Sequence, residues 1–296
     1  MSASKKPAVR GYLLHLTHYD PVWWKRKAKE KPFDLEVALE VVQTLADEDF
    51  NLLIVDCADA VAYRSHPELK RRYTVPMDQL RTLASAARKQ GLEVVPKLNF
   101  ARSQLHHHND WMLGPEEQWY EHFDDDAYWK KAFQLVDELI AACRPKRFFH
   151  VGMDEDHDRS LVQYARAIEA LRTGLRKRKL RTLIWNDTGI EYASGLVHAE
   201  RSLVAEEAIP RDIVQVLWRY QGVPAASIKR LRREGFELWG APGWRQRKET
   251  IRFRDAVLAA GGKGLLMTMW IPCRPANRRK MLEAIRQMGP VYRGEV

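Results

Sequence analysis

The sequence predicts an α/β protein, a single (β/α)8 barrel, and three observations carry that expectation. Short apolar segments alternate along the whole chain with longer segments of helical period. Eight strand candidates can be counted. Several of them are apolar on both faces, as parallel strands covered by helices are, and eight such units close naturally into a barrel. An open doubly wound sheet is the competing arrangement, but no Gly-rich phosphate-binding turn follows an early strand.

The strand candidates are 11–16, 51–56, 92–98, 147–152, 182–186, 213–218, 236–239 and 264–270, each rich in β-branched, aromatic or leucine side chains. Between them, helical period predicts helices near 34–48, 76–90, 127–144, 159–178, 225–234 and 247–260, with a last one at 276–288. Asp34 stands as N-cap before the periodic run LEVALEVVQTL, and Pro210 stops the chain ahead of the sixth strand. Segment 190–208 is less regular and reads as a short helix with loops. Residues 1–296 are expected to form one domain, with 1–9 as a flexible tail. The longest connection, from Phe100 to about Asp126, carries His106, His107, His108, Trp111, Trp119 and Tyr120 with a Gly114-Pro115 turn. Its position after the third strand suits a lid or substrate wall.

The 296 residues hold 49 Lys and Arg against 39 Asp and Glu, a net charge of +10. The densest basic run, Arg172–Arg181, lies at a predicted helix end and reads as a solvated face; with no nucleic-acid motif beside it, no nucleic-acid partner is expected. Such a charge would also steer an acidic polymer toward the protein. No apolar run approaches the length of a membrane span, so no membrane partner is expected. MSASKKPAVR is followed by no apolar h-region, so a cytoplasmic location is the default; removal of a signal would instead mean a secreted or periplasmic protein. Cys57, Cys143 and Cys273 are odd in number and widely spaced, which reads as free thiols with neither disulfide framework nor zinc site. No cofactor is expected. The oligomeric state is left open.

In a parallel barrel the C-terminal strand ends converge on one mouth, where function is built. Here those ends carry Asp56 and Asp59, Asn99, Asp154 and Glu155, Trp185 with Asn186 and Asp187, Trp218, Trp244 and Trp270. Indole rings stack on the C–H faces of sugars while carboxylates and amides bind their hydroxyls, so the set suits a carbohydrate. Asp154 and Glu155 are adjacent. Because successive strand residues point to opposite sides, both reach one ligand only where the strand gives way to its loop. Two neighbouring carboxylates fit a division of labour in which one protonates a leaving oxygen and the other orients a substrate group.

The segment His150-Val151-Gly152-Met153-Asp154-Glu155 resembles the HxGGDE signature of the family 20 glycoside hydrolases, the β-N-acetylhexosaminidases, with Met153 in place of the second Gly. Other segments resemble that family in order: Arg10–Leu14 its first strand, Phe50–Leu53 its second, Val94-Val95-Pro96 its third. Trp185 resembles the fifth-strand Trp, Pro210–Arg219 the sixth strand, and Met269-Trp270 the eighth. The resemblance implies substrate-assisted hydrolysis of a β-linked amino sugar, one of the recognised exceptions to the two-carboxylate scheme. It assigns Glu155 as acid/base and Asp154 as the group that orients the 2-acetamido substituent. Arg10 would hold ring hydroxyls, and Trp185, Trp218 and Trp270 would surround the acetamido pocket. Asp56, Asn99, His150 and Trp244 complete the expected substrate contacts.

The chain departs from that family where the third strand ends, with Lys97-Leu98-Asn99 in place of an acidic segment, and Pro272 stands where a substrate-binding Glu is usual. A family tyrosine after the seventh strand has no evident match in Gly240–Trp244. Two other functions compete: a sugar-binding barrel without turnover, and a metal-dependent barrel using His106–His108, His150, Asp154 and His157. Lys97 poses a sharper question. Period two places it on the face of Asn99, one layer deeper, where an unpaired ammonium would be costly. Either it pairs with Asp56 on the adjacent strand, or a register shift turns it outward among the helices with its stem snorkelling to solvent.

Overall fold

A computed structural model describes residues 6–17, 30–103, 112, 123–190 and 197–296. Its eight strands form a closed, fully parallel barrel in sequence order, β1 (Val9–His15), β2 (Leu52–Asp56), β3 (Glu93–Lys97), β4 (Phe148–His150), β5 (Arg181–Asn186), β6 (Val214–Trp218), β7 (Leu238–Ala241) and β8 (Gly264–Pro272). The helices are α1 (Leu35–Asp47), α2 (Met77–Lys89), α3 (Asp126–Cys143), α4 (Leu161–Lys177), α5 (Val197–Ala208), α6 (Ala225–Arg233), α7 (Arg247–Ala259) and α8 (Pro275–Arg293). The expected fold class is the observed one, and the irregular 190–208 stretch contains α5. The seventh strand lies two residues later than expected, because Gly235 takes a left-handed turn (φ 87°) and Phe236 packs into the outer core instead of pairing. At the other end β1 starts at Val9, ahead of the expected residue 11, and Lys6 pairs with Asp49.

Helix starts follow local chemistry. Asp34 accepts from the Val37 N–H at 2.9 Å, Asp125 from Tyr128 at 2.8 Å, and Ser160 forms a capping box with Gln163. Two cores result. The outer one fills the space between strands and helices; the inner one fills the barrel with Val9, Leu13, Leu52, Ile54, Val95, Phe148, Leu183, Val214, Val216, Trp239 and Leu266 among others. At its floor Trp239 lies edge-on to Phe148, ring centroids 5.3 Å apart, and it fills the space that a Cβ on Gly264 would need. Toward the C-terminal ends the same inner face changes character. The residues two positions beyond Leu13, Ile54, Val95 and Phe148 are His15, Asp56, Lys97 and His150, and these four stand side by side in register across β1 to β4. Opposite them stand Trp185, Trp218 and Trp270 on β5, β6 and β8.

Arg10 belongs to the floor, at the start of β1. It donates to the Pro7 carbonyl at 3.0 Å and to Asp49 at 3.0 Å, so it closes the N-terminal end of the barrel and holds no sugar at the mouth. No helix among the described residues is long and apolar enough to cross a membrane.

Candidate active site

The site is built on a deformed turn. After His150 the chain leaves β4 through Gly152, Met153 and Glu155, all with positive φ (70°, 73° and 52°). Only glycine serves at 152, since a Cβ there would lie 2.2 Å from Asn99 Oδ1. Met153 holds a left-handed conformation that costs an L-residue about 1–2 kcal/mol, offset by full burial and by bonds at both of its backbone groups. Its N–H donates to Asn99 Oδ1 at 3.0 Å and its carbonyl accepts from the Tyr164 hydroxyl at 2.8 Å. This winding separates the two neighbouring carboxylates. Asp154 turns inward and is 6% exposed, while Glu155 is half-buried at the mouth.

Asn99 is the bracket. Its carbonyl oxygen receives the N–H groups of Ala101 and Met153, which ties the β3 loop to the β4 turn, and its amide donates to Asp154 Oδ1 at 2.6 Å. A second clamp lies behind it. Buried Arg159 donates to Asp156 at 2.6 Å, to both carboxylate oxygens of Asp124 at 2.8 Å and to the Phe100 carbonyl at 2.8 Å. Arg201 adds bonds to the carbonyls of Asp156 and His157.

Lys97 points inward, and its Nζ lies 2.8 Å from Asp56 Oδ2 with both groups essentially buried. The same carboxylate oxygen is 3.0 Å from His15 Nδ1. Burial alone would raise the Asp56 pKa, but the Lys97 charge and His15 hold it well below the usual carboxylate range. His150 is driven the other way: burial and then the Lys97 charge push it far below the ordinary histidine range, so it is neutral. Its Nδ1 accepts from the Gly152 N–H at 3.0 Å, which assigns the proton to Nε2. Its ring lies 4.6 Å from that of Trp185.

Two carboxyl groups are raised. Asp154 is raised first by burial, against the opposing influence of Lys97 and the Asn99 amide. Asp187, fully buried just past β5, is raised well above the usual range by burial and by the charge of Asp154. Asp187 also joins the two sides of the mouth. Its Oδ2 receives the Glu155 N–H at 3.0 Å and its Oδ1 receives the Trp218 indole N–H at 2.8 Å.

The structure therefore brings Asp154, Glu155, Trp218 and Trp270 together at the mouth and assigns other duties to the remaining expected contacts. Asp56, Asn99 and His150 are buried supports beneath Asp154. Trp185 is only 1% exposed, wedged between His150 and Trp270 beneath the mouth, where it was expected to face the acetamido pocket. Trp244 lines a cavity on the outer side of Trp270. The histidine-rich 104–111 stretch, Trp119 and Tyr120 lie outside the described residues, so the lid expectation does too. Among the described residues no group of three or more His, Cys, Asp or Glu side chains is arranged to hold a metal ion.

The sequence singles out Asp187 only as one of the strand-end residues, and Tyr220, Tyr164 and Arg159 not at all. Asp187 and Tyr220 were within reach, because each stands two residues past an inward tryptophan, Trp185 and Trp218, and so continues the same face. Tyr164 and Arg159 carried no such signal; Tyr164 bonds the β4 turn, and Arg159 reaches Asp124 and the Phe100 carbonyl.

No protein-family model matches this chain, and no curated protein does. Solved structures do. A GH20 β-N-acetylhexosaminidase from Streptomyces coelicolor A3(2) superposes with TM-score 0.70 at 14% identity, covering 97% of this chain and 64% of that one. A GH20 exo-β-N-acetylglucosaminidase from Vibrio harveyi, solved with N-acetylglucosamine, gives TM-score 0.64 at 12% identity over 97% and 54% of the two chains. Dispersin B gives 0.60 at 13% identity over 96% and 98%. The chain thus spans between half and two thirds of the length of the first two and nearly all of the third. It has the barrel fold of these glycosidases.

Proposed function

We propose that the protein is a glycoside hydrolase of the β-N-acetylhexosaminidase kind, cleaving a β-linked amino sugar with assistance from the substrate's own 2-acetamido group. The observation that carries this reading is the unequal setting of two adjacent carboxyls. Glu155 stands half-open at the mouth, where a general acid can reach a glycosidic oxygen and later take a proton from water. Asp154 is sheltered, fixed by the Asn99 amide, and offers its second oxygen to an acetamido N–H as positive charge develops on the neighbouring carbon. Lys97 supports this role. Its charge favours the ionised form of Asp154 against burial, in a position where the resembled family carries acids. Trp218 and Trp270 supply apolar faces for the sugar ring.

Carbohydrate is the partner class that the neighbours support, since the similar Vibrio harveyi enzyme was solved with N-acetylglucosamine. The test is turnover of a chromogenic 2-acetamido β-glycoside by the wild type and by Glu155→Gln. The variant should fold and bind normally yet lose at least about 10²-fold in kcat, as expected for a missing general acid. Binding of the same sugars with no turnover by either protein would favour the sugar-binding barrel, and equal turnover by both would remove Glu155 from the chemistry.

A further inference from the structure

Outside β6, β7 and β8 lie two cavities that share a wall. The first, about 260 Å³, is lined by Tyr220, Trp244, Arg245, Trp270 and Lys280 with neighbouring polar residues. The second, about 370 Å³, is lined by Trp244, Arg245, Arg247 and Arg286 among others. Trp244 and Arg245 belong to both, and no Asp or Glu lines either. The first cavity touches the candidate active site through Trp270. That indole donates to the Tyr220 hydroxyl at 2.6 Å on the cavity side, while its ring faces His15 at 4.7 Å and Trp185 at 6.1 Å on the barrel side.

Several surface arginines are neutralised by a neighbouring carboxylate. Arg172 is paired with Asp212, Arg178 with Asp137, Arg181 with Glu237 and Arg278 with Glu40. Arg245, Arg247, Lys280 and Arg286 make no ion pair among the described residues, and Glu40, whose carboxylate feels Arg286, is engaged by Arg278. Two of the four flank an indole: the Lys280 ammonium is 5.4 Å and the Arg245 guanidinium 5.9 Å from the Trp244 ring centroid. Uncompensated cations repel one another and raise the local potential, so a row of four beside a site has a cost that an anionic ligand removes. Cations held over an indole in a cavity wall fit a sugar that packs beside the ring and carries an acid group at its edge.

We propose that these cavities form a subsite track for an acidic oligosaccharide, one bearing carboxylate or sulfate groups. Trp244 is its stacking platform, Lys280 and Arg245 are its first anion contacts, and Arg247 and Arg286 are its outer ones. The inference rests on the glycosidase reading for the direction in which the chain enters, with the reducing-side residues leaving the mouth across Trp270.

The test is calorimetric binding, at fixed ionic strength, of a tetrasaccharide alternating N-acetylglucosamine and glucuronic acid, against the same chain with its carboxyls reduced to alcohols. The acidic chain should bind about tenfold more tightly, the sum of several solvent-exposed charge contacts, and the advantage should fall with added salt. Lys280→Gln with Arg245→Gln should remove most of the difference. Lys280→Glu, a surface change, should shift preference toward a cationic, deacetylated chain. Equal affinity for the acidic and reduced chains would overturn the track, even if glycosides are hydrolysed. A preserved difference without hydrolysis of any glycoside would leave the track standing and remove the enzyme reading. A single-stranded oligonucleotide that binds more tightly than the acidic tetrasaccharide would overturn the proposal in favour of a nucleic-acid surface.

Discussion

The two halves of the barrel mouth are built from different chemistry. Strands β1 to β4 end in His15, Asp56, Lys97 and His150, a buried row of titratable groups in register, capped by Asn99 and Asp154. Strands β5, β6 and β8 carry Trp185, Trp218 and Trp270 near their ends, with Tyr220 and Trp244 just beyond. One half sets charge and the other presents surface. The lesson is that support and contact are separated here: most of the polar residues that look like ligand contacts hold Asp154 in place, and the indoles facing them form the wall. Asp187 is the exception that joins the halves, with one oxygen on the Glu155 backbone and the other on Trp218.

The largest effect should come from breaking the charged half. In Lys97→Met, Asp56 keeps His15 but loses its buried ammonium, and such a loss costs roughly 3–5 kcal/mol. Chemical denaturation at pH 7 measures it. Because the folded Asp56 pKa is depressed, its contribution is present above the ordinary Asp range and is lost as pH falls below about 4. The wild-type advantage should therefore shrink on acidification. Asp56→Leu combined with Lys97→Met should be milder than Lys97→Met alone, since no carboxylate is left stranded.

Next comes the joining residue. The folded Asp187 pKa is raised, so its contribution is full below about pH 4 and is lost as pH rises through the raised value. Asp187→Asn should remove that slope, and the stability of wild type relative to the variant should fall between acid and neutral pH. Asp154 ionises beside a still protonated Asp187, so the acid limb of the kcat/KM profile should stay in place. A limb that moves to lower pH would mean that Asp187 carries charge when Asp154 titrates.

The aromatic half should respond least to a single change. Trp218→Phe keeps an aromatic face but deletes the 2.8 Å bond to Asp187, and a bond to a charged or partly charged group is worth about 1.5–3 kcal/mol. Part of that should fall on stability and part on KM, with kcat reduced only a few-fold. A kcat loss as large as that of Glu155→Gln would place Trp218 among the groups that act in the chemistry, and the contrast between the halves would fail.

How much of this was legible follows from where each signal lies. The barrel and its strand order were visible because parallel strands buried on both faces and amphipathic helices leave strong, alternating patterns. The Lys97–Asp56 pair was visible because period two fixes the layer of Lys97 and the neighbouring strand ends in a carboxylate. Arg10 was misplaced because a likeness between strand sequences does not by itself set which end of the strand a residue occupies; the mouth residue of β1 is His15. Trp185 was expected to be open, but a residue's layer in the barrel does not reveal that His150 and Trp270 close over it. Arg159 and Tyr164 were silent because the contacts they make run between segments whose relative placement only the folded chain sets.

The central claim is that Asp154 acts on the substrate's acetamido group, and the most direct test compares two substrates in one variant. Asp154→Asn should be assayed on paired chromogenic β-glycosides that differ only at C2, one bearing an acetamido group and the other a hydroxyl. For the acetamido substrate kcat/KM should fall by at least about 10²-fold, the scale of losing one preorganised electrostatic contact to the transition state, and for the hydroxyl one far less. Equal losses on both would contradict substrate assistance and leave Asp154 as a structural support of Glu155.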